Sequence, residues 1–238
     1  MTRKSVGNKE NQLEIIRRAY DRTVDNFFNG ITDEDLLPME FKTSERYLRF
    51  QEILKSGSPG SADPKIKEYL DPKPGMRFLD VGSAANLIVR DLGKWPSTYY
   101  GIDISPKLVD ASREFAKRNN IKIGGLYVAD AAKIPFEDGY FDICAAIGVL
   151  EYYDIPYIRR ALKEISRVLK PRAKIVVDMP NLDHPEIMTM VEFEGYLGRP
   201  RHHLPTNDEF EAELKRSYFI DEIDHSRIMT SYFARSGR

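Results

Sequence analysis

Short apolar runs alternate with amphipathic segments along most of the chain. Five runs, at residues 77–81, 99–103, 125–129, 141–147 and 174–179, are apolar on both sides and predict strands. Because helical segments separate these strands, the pattern predicts a doubly wound parallel sheet with both faces covered. Two further runs, 218–223 and 228–233, follow each other closely and predict a C-terminal hairpin that adds an antiparallel strand.

Amphipathic helices are predicted before and between the strands. Apolar side chains recur at helical spacing in residues 11–29, and residues 40–54 predict a second helix. Ser105, followed by Pro106, and Asp154 are typical first residues of helices, and residues 207–215 predict a last short helix. A Gly/Ser/Pro cluster at 56–61 indicates a loop, so we predict an N-terminal helical extension or lid (1–60) and a second domain (61–238).

Composition excludes several classes of protein. The 238 residues are 42% hydrophobic and 31% charged, which is ordinary for a chain with a packed core and excludes collagen-like or disordered proteins. A net charge of −1 argues against a nucleic-acid partner. The single cysteine, Cys144, forms no internal disulfide, and no metal site is predicted. Because no apolar stretch reaches membrane-spanning length and residues 1–12 are polar, we predict a cytoplasmic protein with no membrane partner.

Candidate ligand-binding residues follow the carboxyl ends of four successive strands, where open α/β sheets bind ligands. The first strand leads into a small-residue loop at 80–86, whose following helix favours an anionic group. Asp103 ends the second strand, close to the usual spacing of a ribose-binding acid after Gly82. Asp130 and Ala131 follow the third strand, and residues 147–151 follow the fourth.

These motifs resemble those of class I S-adenosylmethionine-dependent methyltransferases, of the small-molecule group that includes type 11 and ubiquinone-biosynthesis-like enzymes. The resemblance covers about residues 65–233 and rests on five ordered stretches, Phe78-Leu79-Asp80-Val81-Gly82, Tyr100-Gly101-Ile102-Asp103-Ile104-Ser105, residues 129–136, Val149-Leu150-Glu151 and Leu169-Lys170-Pro171. It implies a Rossmann-like, seven-stranded, mostly parallel sheet with a C-terminal antiparallel hairpin. It also implies S-adenosylmethionine as the cofactor and S-adenosylhomocysteine as its product.

The resemblance assigns a role to each of eight cofactor-binding residues. Gly82 and Ala84 would line the loop under the methionine part, and Asp80 would help to hold its amino group. Asp103 would accept hydrogen bonds from the ribose hydroxyls, with Ile104 packed on adenine. Asp130 would accept from the adenine amino group beside Ala131, and Ile147 would offer a backbone carbonyl.

The glycine loop departs from the family pattern. Glycine usually occupies three alternate positions, which here are Gly82, Ala84 and Asn86. Asparagine tolerates a left-handed backbone better than most residues, and a methyl at position 84 does not have to clear a pyrophosphate. As single residues, Asp80 and Asp130 also have ordinary interpretations, as a helix cap and a loop acid.

Acceptor-side candidates lie mostly between the fifth strand and the last predicted helix. His202 and His203 are candidate bases for deprotonating an acceptor, and Arg199 and Arg201 are candidates for clamping an anionic one. Tyr20 and Phe27 are candidates for lining the pocket from the lid. The simpler interpretations are a solvated basic loop and ordinary helix packing.

We therefore expect methyl transfer from S-adenosylmethionine to an oxygen or nitrogen of a small-molecule acceptor. Three alternatives stay open. A nicotinamide-dependent oxidoreductase would require G-x-G-x-x-G, which residues 82–87 do not provide. An RNA or protein methyltransferase would share the core but usually has a basic surface. The altered loop also fits a catalytically inactive partner subunit of the same fold.

Overall fold

The computed structural model describes residues 11–56, 64–83, 86–89, 92–201 and 203–237, around a sheet of order β3-β2-β1-β4-β5-β7-β6. Its strands are β1 (Arg77–Val81), β2 (Thr98–Asp103), β3 (Gly125–Val128), β4 (Phe141–Ala146), β5 (Leu169–Pro180), β6 (Tyr218–Asp224) and β7 (Met229–Ser236). Strands β1 to β5 are parallel, whereas β7 pairs antiparallel with both β5 and β6. The predicted fold class, with its terminal hairpin, is confirmed. Strand order reverses between β1 and β4, which makes the carboxyl ends of these strands the expected ligand site.

Helices cover the sheet and its carboxyl edge. They are α1 (Gln12–Phe28), α2 (Met39–Lys42), α3 (Glu45–Ser56), α4 (Pro64–Leu70), α5 (Asn86–Val89), α6 (Pro106–Arg118), α7 (Ile155–Val168), α8 (Ile187–Tyr196) and α9 (Asn207–Leu214). Ser105 and Asp154 begin α6 and α7 as predicted, because their side chains accept hydrogen bonds from backbone N–H groups of the first turns.

Helix α4 was not predicted, and three further elements differ from the sequence prediction. Residues 40–54 form two helices, α2 and α3, because Ser44 interrupts the run: its Oγ accepts a hydrogen bond from the backbone N–H of Tyr47 at 3.3 Å. Strand β5 begins at Leu169, five residues before the predicted strand. Helix α8 was not predicted, and it lies in the segment where only a substrate-binding insertion was expected.

The strands alternate between two apolar layers. Leu79 and Cys144 face a cluster that includes α7 and α9, whereas Phe78 and Ile143 face a second cluster with α4 on the other side. This period of two follows from the pleat of a strand. Cys144 is fully buried in the middle of the sheet, and burial raises the pKa of its thiol.

A third apolar cluster joins the N-terminal helices to the insertion after β5. Phe41 and Phe50, of α2 and α3, pack against Phe193 and Met190 of α8. Arg49 Nε donates to Glu186 Oε1 at 2.5 Å across the same contact. The N-terminal helices and α8 therefore form one layer. The predicted boundary at residue 60 lies outside the described residues.

Candidate active site

A pocket lies at the carboxyl ends of β1, β2, β3 and β4, under α1. Four of the predicted cofactor-binding residues, Gly82, Asp103, Ile104 and Ala131, line it. Tyr20 of α1, a candidate from the N-terminal extension, also lines it. The pocket therefore lies at the reversal of strand order, where this architecture binds ligands.

Gly82 lies where the loop after β1 touches the loop after β4. Its φ is +69°, which favours glycine, and a Cβ there would lie 2.6 Å from Cβ and Cγ2 of Val149. Glycine is therefore required at this position both by conformation and by space. Ala84, the next residue of the predicted cofactor loop, lies outside the described residues.

Asp80 is fully buried beneath this loop. Its carboxylate accepts hydrogen bonds from Asn86 Nδ2 at 3.0 and 3.2 Å and from the hydroxyl of Tyr99 at 2.8 Å. Asn86 begins α5, so its side chain, at the third position of the family's glycine pattern, ties the helix to the carboxylate. A contact between Asp80 and a cofactor stays a prediction.

Asp103 ends β2 with its carboxylate beside the start of α6. The residue is 6% exposed, and its Oδ1 accepts the backbone N–H of Ser105 at 2.8 Å. Ser105 Oγ in turn donates to Asp21 Oδ1 of α1 at 2.7 Å. Asp21 also accepts from Arg17 at 2.6 Å, so one carboxylate of α1 links that helix to the start of α6 beside the pocket.

Asp130 follows β3 and faces α7. Its Oδ1 accepts the hydroxyl of Tyr157 at 2.7 Å and the backbone N–H of Ala132 at 2.8 Å. Tyr157 lies against Tyr153, with ring centroids 4.0 Å apart, and both rings line the pocket next to Ala131. Sequence reasoning missed these two tyrosines, although both follow the fourth strand in the same segment as the quoted motif.

The loop after β4 forms the opposite wall. Ile147 is buried in the core below the sheet, and its neighbours Gly148 and Val149 line the pocket instead of its side chain. The backbone N–H of Gly148 donates to Asp178 Oδ1 at 2.8 Å, which connects the end of β4 to the end of β5. The predicted carbonyl contact of Ile147 with a cofactor stays a prediction.

Two arginines and two glutamates lie together behind this wall, with side chains at most 10% exposed except for Glu194 at 15%. Arg199 donates to Glu194 Oε2 at 3.2 Å and lies over the ring of Tyr20, 4.4 Å from its centroid. Arg201 donates to Glu151 Oε1 at 3.4 Å and lies over Tyr152 at 4.9 Å. We call Arg199, Arg201, Glu151 and Glu194 the buried charge cluster. Sequence reasoning identified both arginines, but it took Glu151 only as part of a family motif.

The hydroxyls of Tyr20 and Tyr152 join the two halves of the cluster. They lie 3.1 Å apart, and Tyr152 also donates to Glu194 Oε2 at 3.3 Å. Burial raises the pKa of Tyr20 to about 12 and raises the pKa of Glu151, although Arg201 opposes the latter shift. Both tyrosines are therefore neutral at physiological pH.

The remaining acceptor-side candidates lie elsewhere. Phe27 is 77% exposed at the end of α1, against the ring of Phe28, and does not line this pocket. His203 is exposed in a neighbouring recess that shares Tyr152, Tyr153 and Tyr157 with the pocket. His202 lies outside the described residues. A catalytic role of either histidine stays a prediction.

Fold and pocket together define a Rossmann-like domain of the kind that binds a nucleoside cofactor. Residues 79–177 match the methyltransferase domain family. Residues 79–177 therefore form a methyltransferase domain similar to those of class I S-adenosylmethionine-dependent enzymes, whose methyl donor is S-adenosylmethionine.

Two relatives and one solved structure illustrate the similarity. Sterol 4-C-methyltransferase strm-1 of Caenorhabditis elegans is 28% identical over 214 residues, which are 84% of this chain and 60% of that protein. The ubiquinone/menaquinone biosynthesis C-methyltransferase UbiE of Brucella abortus is 27% identical over 75% of each chain. The crystal structure of the PH0226 protein from Pyrococcus horikoshii OT3 matches with a TM-score of 0.63 and 20% identity, over 82% of this chain and 93% of that one.

The chain thus spans about three fifths of the sterol methyltransferase. In the described part of the chain, no helix is long and apolar enough to cross a membrane. The predicted cytoplasmic location stays a prediction.

Proposed function

We propose that the protein transfers a methyl group from S-adenosylmethionine to an oxygen or nitrogen atom of a small-molecule acceptor. One observation carries the proposal: a single pocket brings together Gly82, Asp103 and Ala131 from the ends of three strands. When bound, the cofactor supplies a methyl group attached to a sulfonium sulfur. After transfer of the methyl group this sulfur is a neutral thioether. The protein therefore has to orient the acceptor and exclude water more than it has to supply acid catalysis.

The pocket residues suit the parts of this cofactor. Asp103 would accept hydrogen bonds from the ribose hydroxyls, and the apolar side chains of Ile104 and Ala131 would pack against adenine. Asp130 does not itself line the pocket but accepts the hydroxyl of Tyr157, which does. Both hydrogen bonds that Asp130 accepts go to Oδ1, so among the described residues its Oδ2 has no partner and would suit the adenine amino group. Gly82 would keep the backbone close to the methionine part.

Two features support a small acceptor. Helix α1 covers the pocket, which leaves little room for a polymer beside the cofactor, and we propose that residues 1–60 act as its lid. The names of the relatives refer to a sterol and to ubiquinone/menaquinone biosynthesis, which both concern small molecules. Because both names specify methylation of carbon, a carbon acceptor is the second candidate.

Calorimetric titration tests the cofactor site. We expect S-adenosylhomocysteine to bind with micromolar affinity, on the order of −8 kcal/mol. Asp103→Ala should weaken binding at least tenfold, because the buried carboxylate that faces the ribose is lost. Asp110→Ala, on the exposed side of α6, is the matched control and should bind like the wild type. Absence of binding to the wild-type protein would refute the proposed function.

A further inference from the structure

The Glu151–Arg201 pair of the buried charge cluster has unused hydrogen-bonding capacity. The side chains of Arg201 and Glu151 are only 2% and 3% exposed. Among the described residues, Arg201 Nε and Nη1 have no hydrogen-bond partner, and neither has Glu151 Oε2. Their one mutual contact, at 3.4 Å, is long for a hydrogen bond between charged groups.

Buried charged groups without partners are strongly unfavourable. Leaving a buried donor or acceptor unsatisfied costs about 1–3 kcal/mol, and more when the group is charged. Here two donors and one acceptor lie together, so the arrangement fits a ligand group that both accepts and donates hydrogen bonds. A hydroxyl group does this with a single oxygen atom.

The pair lies next to the pocket but outside its wall. A Cβ placed on Gly148, which lines the pocket, would lie 3.9 Å from Glu151 Oε1. Tyr152 also lines the pocket, and the guanidinium of Arg201 lies over its ring. A group held by the pair would therefore reach the pocket from the side of Tyr152, away from Asp103 and Ala131.

The formal charge of the surroundings favours a neutral ligand. Arg199 and Arg201 balance Glu151 and Glu194, and the hydroxyls of Tyr20 and Tyr152 are neutral. An added carboxylate would be a third negative group beside Glu151. A hydroxyl adds no charge until it loses its proton.

We infer that Glu151 and Arg201 bind the hydroxyl group of the acceptor, a phenol or an enol, with Glu151 as the base. This inference rests on the proposed methyl transfer to a small molecule and names its substrate class. The O–H proton passes to the Glu151 carboxylate, and the Arg201 guanidinium stabilises the oxyanion. A lone pair of that oxygen then forms the bond to the methyl carbon, while the electron pair of the broken C–S bond stays on sulfur.

A phenol or an enol suits this pair better than an aliphatic alcohol. The phenol of tyrosine has a pKa of about 10, within reach of a carboxylate whose own pKa is raised by burial. Arg201 lowers the pKa of a hydroxyl that it contacts. Among the described residues, the charged and titratable groups that interact with Glu151 are Arg201, Glu194, Tyr20, Tyr152 and Tyr153.

Two chromogenic phenols test the inference, 4-nitrophenol and 7-hydroxycoumarin. Each is titrated into the full-length protein saturated with S-adenosylhomocysteine, at a pH where the free probe is protonated. We expect the absorption band of the phenolate to appear on binding. Glu151→Gln and Arg201→Gln should reduce this band at least tenfold, whereas their affinity for S-adenosylhomocysteine should stay within twofold of the wild type.

Glu213→Gln is the matched control, since this similarly buried glutamate pairs with Arg159 away from the pocket. It should leave the band unchanged. If the two test variants do not fold, Glu151→Asp and Arg201→Lys replace them and should shift the apparent pKa of the bound probe.

Three results would overturn the inference. The first is the lack of a phenolate band with either probe on the wild-type protein, and the second is a band that persists in both test variants. The third is loss of S-adenosylhomocysteine affinity in the variants with unchanged affinity for 5′-methylthioadenosine. That would assign the pair to the amino-acid end of the cofactor. Because wild-type binding of S-adenosylhomocysteine is measured without a phenol, failure of the proposed function is seen separately.

Discussion

Asn86 replaces a glycine of the family pattern and adds hydrogen bonds that a glycine could not make. Its amide donates to both oxygens of Asp80, a carboxylate with no exposed surface. Because a buried carboxylate needs such donors, the asparagine stabilises the floor of the cofactor loop. The sequence alone suggested only that asparagine tolerates the backbone, since its partner is visible only in three dimensions.

Asn86→Gly, which restores the family pattern, should therefore destabilise the protein. We expect a loss of about 1–3 kcal/mol in the free energy of unfolding, because Asp80 loses buried hydrogen bonds. Urea denaturation measures the change. Asn120→Gly is the control: Asn120 is exposed with φ of +53°, so glycine there should be neutral or slightly stabilising. Equal stability of Asn86→Gly and the wild type would contradict this account of Asn86.

Helix α1 covers the pocket through polar contacts at one of its faces. Asp21 accepts Ser105 Oγ at the start of α6, where a negative charge also interacts favourably with the helix dipole. Asp25 pairs with Lys107 one turn further along, at 2.5 Å, but both side chains are about half exposed. The buried contact should therefore hold the helix more strongly than the surface ion pair does.

Asp21→Ala should loosen α1 over the pocket. We expect faster amide hydrogen exchange in residues 12–28, because the helix loses its bond to Ser105 and its ion pair with Arg17. Mass spectrometry of exchange measures the effect. Asp25→Ala should change the exchange rates much less. An equal effect of both variants would show that the contact with Ser105 holds α1 no more strongly than the surface ion pair does.

The elements that the sequence predicted are those set by a local pattern. Strands β1 to β4 carry nearly continuous apolar runs, and Ser105 and Asp154 cap helices through neighbours three residues away. Helix α8 escaped prediction because its apolar residues serve a contact with α3, far away in sequence. The sequence identified Asp103 as a candidate site residue because it lies at the end of a predicted strand. The sequence did not predict the pairing of Glu151 with Arg201, because these residues are 50 positions apart.

Ion pairs join distant parts of the molecule and make it sensitive to acid. Asp221 of β6 accepts from Arg235 of β7 and from the hydroxyl of Tyr69 in α4, and these contacts lower its pKa below the ordinary 3.8. Arg159 likewise lowers the pKa of Glu213 and connects α7 to α9. A carboxyl with a lowered folded pKa contributes stability above its unfolded value, and loses it as pH falls through the folded value.

Melting temperature should therefore fall as pH is lowered from 7 to about 3, where the unfolded chain takes up more protons than the folded one. Asp221→Asn should melt lower than the wild type at pH 7, and the difference should narrow at about pH 3. Differential scanning calorimetry of both proteins measures it. A difference that stays constant with pH would mean that the charge of Asp221 does not stabilise the fold.

Cys144, the one thiol of the chain, lies at the centre of the sheet with no exposed surface. Its side chain faces the apolar layer between the sheet and helices α7 and α9, so a dissolved reagent can reach the sulfur only when that layer opens. Alkylation of this thiol therefore records a past opening of the fold. A molecule whose sulfur has been alkylated is one in which this layer has opened at least once, whatever state it occupies when it is analysed.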